Sequence, residues 1–295
     1  MAKVPYIEMD FRTSSLDRLT LINAILTEYA ADGYDLSLRQ LYYQLVSRDY
    51  IENTQRAYQN LSKLVNNGRL AGVVDWAMIV DRSRGTVRNA HWDSPGEIVD
   101  AAARSFAIDK WKDQPNYIEV MVEKDALSGV LVPVCRELDI HFTANKGYPS
   151  VTLLYEMAQR LRFHINQGQT VYILHLGDHD PSGIDMTRDL IDRFDIFLGD
   201  NTEVNRLALN MDQVEEMQPP PNPAKTTDSR YKAYIAEFGN LSWELDAIEP
   251  RQLAEIVTGA VLSLRDGVLW DEAVERENEM RRELRVFADG YNGRK

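Results

Sequence analysis

The sequence predicts an α/β protein in two parts, an N-terminal winged helix-turn-helix unit and a second unit whose mainly parallel sheet is flanked by helices. Three observations carry that prediction. The first stretch of chain holds three segments with apolar residues at helical spacing; a later stretch holds short apolar runs, each followed by a helical segment; a polar, proline-containing break separates the two. With 295 residues, 44% of them hydrophobic, the chain can bury one large core or two smaller ones. Two domains are expected, residues 1–112 and 113–295.

In the first part, Ser14 or Ser15 is placed to cap a helix through LDRLTLINAILTEYA, ended by Asp32-Gly33. Ser37 caps the next, where Leu38, Leu41, Tyr42, Leu45 and Val46 define one apolar stripe. A third helix fits NTQRAYQNLSKLVNN, stopped at Gly68. LAGVVDWAMIVDRSRG then reads as short strands and a turn, which makes the three helices and β-element a winged helix-turn-helix. The segment HWDSPGEIVDAAARSFAIDKWKDQPN adds a short amphipathic helix and the break. In the second part, the strands YIEVMVE and TVYILHL are followed by helices in DALSGVLVPVCREL and IDMTRDLIDRF, with VTLLYEMAQRLRFHINQ helical between them. That alternation indicates a parallel sheet covered on both faces. PPPNPAKTTDSR is a loop, since successive prolines remove backbone donors, and EAVERENEMRRELRVF reads as a charged terminal helix.

Composition narrows the function classes. No run approaches the ~18 apolar residues of a membrane span, and MAKVPYIEMDF lacks a signal-peptide core, so a cytoplasmic protein with no membrane partner is expected. Cys135 is the sole cysteine, which excludes an internal disulfide and a cysteine-based zinc site and suits a small buried residue. A formal net charge of -13 argues against nonspecific coating of nucleic acid. Yet Leu36 to Ala90 carries eight basic residues against four acidic ones, a local +4, with Arg82, Arg84 and Arg88 on or beside the expected wing.

The chemistry concentrates in carboxylates at strand ends. Glu123 closes YIEVMVE, and Asp178 and Asp180 follow TVYILHL in GDHDPSGIDM. Side chains at the carboxyl ends of parallel strands converge on the ligand crevice. At ~4 Å and an effective dielectric of ~20, each like-charge pair costs about 4 kcal/mol, so such a set binds cations or holds protons. Oxygen-only ligands favour Mg²⁺ or Mn²⁺ over zinc. Pro181 fixes the backbone after Asp180, and Gly183 permits close approach at the turn into a helix whose N-terminus can face phosphate. A capping aspartate in a strand-to-helix turn explains one of these residues but not the set.

VEKDALSG and LGDHDPSGIDM resemble the Toprim domain of the topoisomerase VI A subunit and the related meiotic double-strand-break protein, and the likeness extends to PNPAKTTDSR and WELDAI. The resemblance implies that Glu123, Asp178 and Asp180 bind Mg²⁺. It also implies a nucleophilic tyrosine as the second aromatic of an R-x-x-Y-Y string, which SLRQLYYQL supplies as Arg39, Tyr42 and Tyr43. Helical phase makes the same choice, since Tyr42 belongs to the apolar stripe and Tyr43 sits one step round, four residues from Arg39. Tyr43 is thus expected to be free to react, with Arg39 stabilising the phenolate or transition state and the metal polarising the scissile phosphate. A homodimer cleaving double-stranded DNA is implied, in which one protomer's tyrosine meets the other's metal site. The chain carries no recognisable ATPase module, so strand passage implies a separate ATP-driven B-type subunit. Lys124, His179, Lys146, Lys225 and Arg230 are further candidates, all but His179 along the DNA path. Two rival readings are a Toprim nuclease using water and a non-catalytic DNA-binding module.

Overall fold

The structure is a computed structural model that describes residues 3–34, 36–79, 91–145 and 147–292. The expected wing residues Arg82, Arg84 and Arg88, and also Lys146, lie outside the described residues.

Three helices open the chain: α1 (Thr13–Ala31), α2 (Leu38–Ser47) and α3 (Gln55–Leu70). Helix α1 begins before the expected serine caps, because the Arg12 carbonyl already accepts from the Ser15 and Leu16 N–H groups. Ser37 caps α2 as its sequence suggests. Its hydroxyl accepts from Gln40 N at 3.2 Å while Gln40 Oε1 accepts from Ser37 N at 2.8 Å. Gly68 does not stop α3. It is where α1 crosses closely, since a Cβ there would sit 2.8 Å from a Leu19 methyl and 2.9 Å from Val74. Leu19, Ile22, Leu41, Leu45, Leu61 and Val65 fill the core between the three helices. The expected strands are absent from residues 71–79, which form turns and a short 3₁₀ turn at Trp76–Met78; one parallel bridge pairs Leu36 with Ile79.

The second core is built on a four-stranded parallel sheet in the order β2-β1-β3-β4, where β1 is Asn116–Val122, β2 His141–Ala144, β3 Thr170–Leu176 and β4 Thr202–Ala208. The central strands are buried on both faces, which is why they read as continuous apolar runs. Helices α4 (Pro95–Ser105), α5 (Ser128–Glu137), α6 (Val151–Asn166), α7 (Pro181–Leu198), α8 (Met211–Met217), α9 (Tyr231–Phe238), α10 (Pro250–Leu264) and α11 (Gly267–Asn292) complete the chain. Helix α5 packs with α10, and α6 with α7. Because the chain steps from β1 to β2 and then back past β1 to β3, right-handed crossovers put α5 on one face and α6 and α7 on the other. Such a reversal of direction opens a crevice at the carboxyl ends of the two strands concerned, β1 and β3.

Helix α4 precedes the sheet in sequence but packs on α11. Arg281 Nε donates to the Phe106 carbonyl at 2.7 Å, and Glu277 accepts from Ile108 N at 3.0 Å. Cys135 is buried, as expected, and burial pushes its thiol up to about 12. Among the described residues no helix is long and apolar enough to cross a membrane.

Candidate functional site

Glu123, Asp178 and Asp180 lie where β1 and β3 end, in the wall of a cleft of ≈ 420 Å³ that also includes Arg39, Lys124, Asn145, Lys225, Glu244 and Asp246. Each carboxylate is anchored by one oxygen. Glu123 Oε2 accepts from Asp178 N at 2.9 Å, Asp178 Oδ1 from Leu245 N at 2.8 Å, and Asp180 Oδ1 from Gly183 N at 2.7 Å. The last bond makes Asp180 the N-cap of α7, with Pro181 in the first turn. The turn is tight: a Cβ on Gly183 would sit 2.1 Å from the Asp178 carbonyl oxygen, so only glycine fits. Gly177 serves Glu123 in the same way, since a Cβ there would lie 3.0 Å from Glu123 Oε2.

The second oxygens differ in what they meet. Asp178 Oδ2 lies 2.7 Å from Lys124 Nζ, which also reaches Asp246 at 2.8 Å and Glu244 at 3.0 Å. Among the described residues, Asp180 Oδ2 meets the exposed Lys225 ammonium, 3.9 Å away. Among the described residues no three His, Cys, Asp or Glu side chains converge as a ready ligand set. The reason is local: Asp180 is turned to its helix and Asp178 to the Lys124 ammonium. Burial lifts the Asp178 carboxyl to about 7, with Lys124 pulling it down and Glu123 and Asp246 raising it further. Burial also raises Glu123, while three carboxylates hold Lys124 well above the ordinary lysine value.

Beneath the cleft, Arg206 of β4 holds the turn from below. It donates to the carbonyls of Gly177 (3.0 Å), Asp178 (2.6 Å), Gly183 (2.8 Å) and Leu209 (3.1 Å), and to Thr187 Oγ1 (2.8 Å). Burial lowers its guanidinium to about 10. Sequence reasoning missed Arg206 because an arginine in a polar edge strand carries no motif. Chain comparison adds no further candidate. No family model, curated protein or solved structure matches this chain.

Arg39 bridges the two cores. From α2 it pairs with Glu244 and reaches Asp246 Oδ2 at 3.1 Å, so an unbroken run of charges joins α2 through Glu244, Asp246 and Lys124 to Asp178. The expectation that Tyr43 is the free tyrosine is corrected. Tyr43 is 2% exposed and Tyr42 5%. Helical phase identified the face toward α1 and α3 but not the opposite face, which packs on the Leu245–Ala247 segment some two hundred residues later. Burial and the Glu244 charge push the Tyr43 hydroxyl up to about 12, with Arg39 and Asn222 acting in the other direction.

The remaining candidates divide. His179 is neither solvated nor aimed into the cleft. It is buried, its Nδ1 is 2.7 Å from the Tyr234 hydroxyl, and its backbone pairs with Trp243, which docks the Glu244–Asp246 segment against the D-x-D turn; burial lowers it to about 4. Arg230 is bound by Asp228 and Asp185, each at 2.8 Å, and by Tyr148, so its charge is spent within the fold. Lys225 stands exposed at the cleft rim.

Proposed function

We propose that the chain is a Toprim-type, divalent-metal-dependent enzyme that cleaves DNA phosphodiesters, with Tyr43 as nucleophile and a phosphotyrosyl intermediate. The observation that carries this reading is the trio Glu123, Asp178 and Asp180 on the crevice between β1 and β3, each carboxylate oriented by one backbone N–H. The donors suit Mg²⁺ or Mn²⁺, being carboxylate oxygens with no cysteine or histidine among them. Bound there, the dication would polarise the scissile phosphate. Arg206 keeps the D-x-D turn rigid, Lys124 neutralises Asp178 until the cation arrives, and Lys225 meets DNA at the rim, with Arg82, Arg84 and Lys146 assigned to the same path.

Arg39 stabilises negative charge on Tyr43 and on the phosphate once α2 turns from its buried position. Attack of the Tyr43 hydroxyl forms a phosphotyrosine ester and releases the strand's other end as a hydroxyl, which takes the proton. That ester conserves the bond for resealing. The N-terminal helices serve as a winged-helix DNA-binding domain, double-strand cleavage comes from a homodimer, and strand passage draws on a separate ATPase B-type subunit.

A second reading has a specific observation in its favour. Tyr43 is buried and raised to about 12, which suits a Toprim nuclease that uses water instead. Supercoiled plasmid incubated with Mg²⁺ or Mn²⁺, then denatured with and without protease, separates the two. Protein-linked ends lost in Tyr43→Phe support the tyrosine; cleavage that persists in Tyr43→Phe with no linked protein assigns water. Retained DNA binding without cleavage under any metal condition leaves a non-catalytic module.

A further inference from the structure

Asn145 is 3% exposed and both polar atoms of its carboxamide, Oδ1 and Nδ2, are buried without a hydrogen-bond partner among the described residues. A buried amide left unpaired at both ends is costly, and proteins seldom keep one unless a ligand or water completes it. Its position is not incidental. Asn145 N donates to the Val122 carbonyl at 2.8 Å, and Val122 pairs with Ala144 across β1 and β2. The next step in that register sets Asn145 beside Glu123, one strand spacing of about 4.8 Å away and on the same face. On its other side Glu123 neighbours Gly177, since Val122 also pairs with Leu176. Glu123 commits Oε2 toward Asp178, on the β3 side. The β2 side of Glu123 is therefore flanked by Asn145, and both line the cleft.

We propose that Asn145 is a ligand-binding residue of this cleft, its Oδ1 acting beside Glu123 as a further oxygen donor to a hydrated divalent cation, and its Nδ2 donating to a phosphodiester oxygen held by that cation. The proposal rests on the metal-dependent reading above. A cation-bound phosphate presents a positive or donating group and an acceptor side by side, which is the pair that the carboxamide lacks. Neither a lone anion nor a lone cation satisfies both ends. Asn145 also fixes a preference: a carboxamide adds an oxygen donor without a fourth negative charge, which suits weak, exchangeable binding of a hard cation.

The test uses the full chain and Mn²⁺ alone, followed by electron paramagnetic resonance, with thermal midpoints measured in chelator. Asn145→Leu keeps the approximate volume and removes both polar ends. It is expected to weaken Mn²⁺ about 10-fold while leaving the chelator midpoint unchanged or higher, because an unpaired amide has been removed. Asn145→Asp is expected to tighten Mn²⁺ several-fold, and it decides the matter if the leucine variant does not fold. Unchanged Mn²⁺ affinity in the variants, with wild type binding and Asp178→Ala not, overturns the role of Asn145 alone. A lower chelator midpoint in Asn145→Leu with unchanged affinity overturns it in favour of a structural water. Wild type that binds Mn²⁺ no better than Asp178→Ala overturns the metal-dependent reading and this proposal together.

Discussion

The carboxylate cleft and helix α2 face each other across the two cores, and they are built in opposite ways. In the cleft, backbone N–H groups fix one oxygen each of Glu123, Asp178 and Asp180, and the second oxygens of the two aspartates face the Lys124 and Lys225 ammonium groups. On α2, Tyr43 is sealed between helices and a segment of the other core, and its ionised form is disfavoured by burial. One region is held open by backbone donors; the other is closed by packing. Arg39 belongs to both, since it stacks 5.7 Å from the Tyr43 ring centre and pairs with Glu244 and Asp246. A movement of α2 would therefore be felt at Asp178 through Lys124.

The largest expected effect breaks the cleft side outright. Asp178→Asn keeps the shape but removes the charge, and metal-dependent cleavage should fall by roughly 1,000-fold, measured as initial rates on plasmid. Next is the scaffold beneath it. Arg206→Met leaves the Asp178 and Leu209 carbonyls without their donor, and urea unfolding should show a loss of about 3 kcal/mol. An equally deep change on α2, Tyr43→Phe, should cost far less stability because the ring stays packed, and unfolding curves of the two variants make the contrast directly.

Acidity separates the regions as well. Asp178 is raised to about 7 in the folded protein, so below that pH it holds a proton that a cation must displace. Mn²⁺ affinity should rise by up to about tenfold per pH unit from pH 5 and level off above about pH 7, read by titration at fixed ionic strength. An affinity independent of pH across that window would remove Asp178 from the ligand set. The smallest effect concerns the resident ammonium. Lys124→Met should tighten Mn²⁺ in the absence of DNA by about tenfold or less, since Asp178 Oδ2 no longer has a competing partner.

Much of this arrangement was legible in the chain because local rules dictated it. Ser37 with Gln40, Asp180 with Gly183, and the apolar runs of β1 and β3 all follow from spacing within a few residues. The edge strands β2 and β4 were not foreseen. TEVNRLA alternates and HFTA is short, because an edge needs burial on fewer sides. The helix α10 also went unforeseen. Arg206, Asn145 and the burial of Tyr43 depend on segments brought together from far along the chain, and no spacing rule reports such meetings. WELDAI was noticed only as part of a likeness, yet its Glu244 and Asp246 turn out to tie α2 to the cleft.

Lys124 and Arg39 are counterions that cannot diffuse away. A cleft of Glu123, Asp178, Asp180, Glu244 and Asp246 balanced by tethered cations does not depend on dissolved ions to keep its shape. Chelation should therefore leave the far-ultraviolet circular dichroism spectrum intact, unlike that of a small domain whose metal is its core. The fold thus carries its own charge balance, and its shape is set before anything dissolved reaches the cleft.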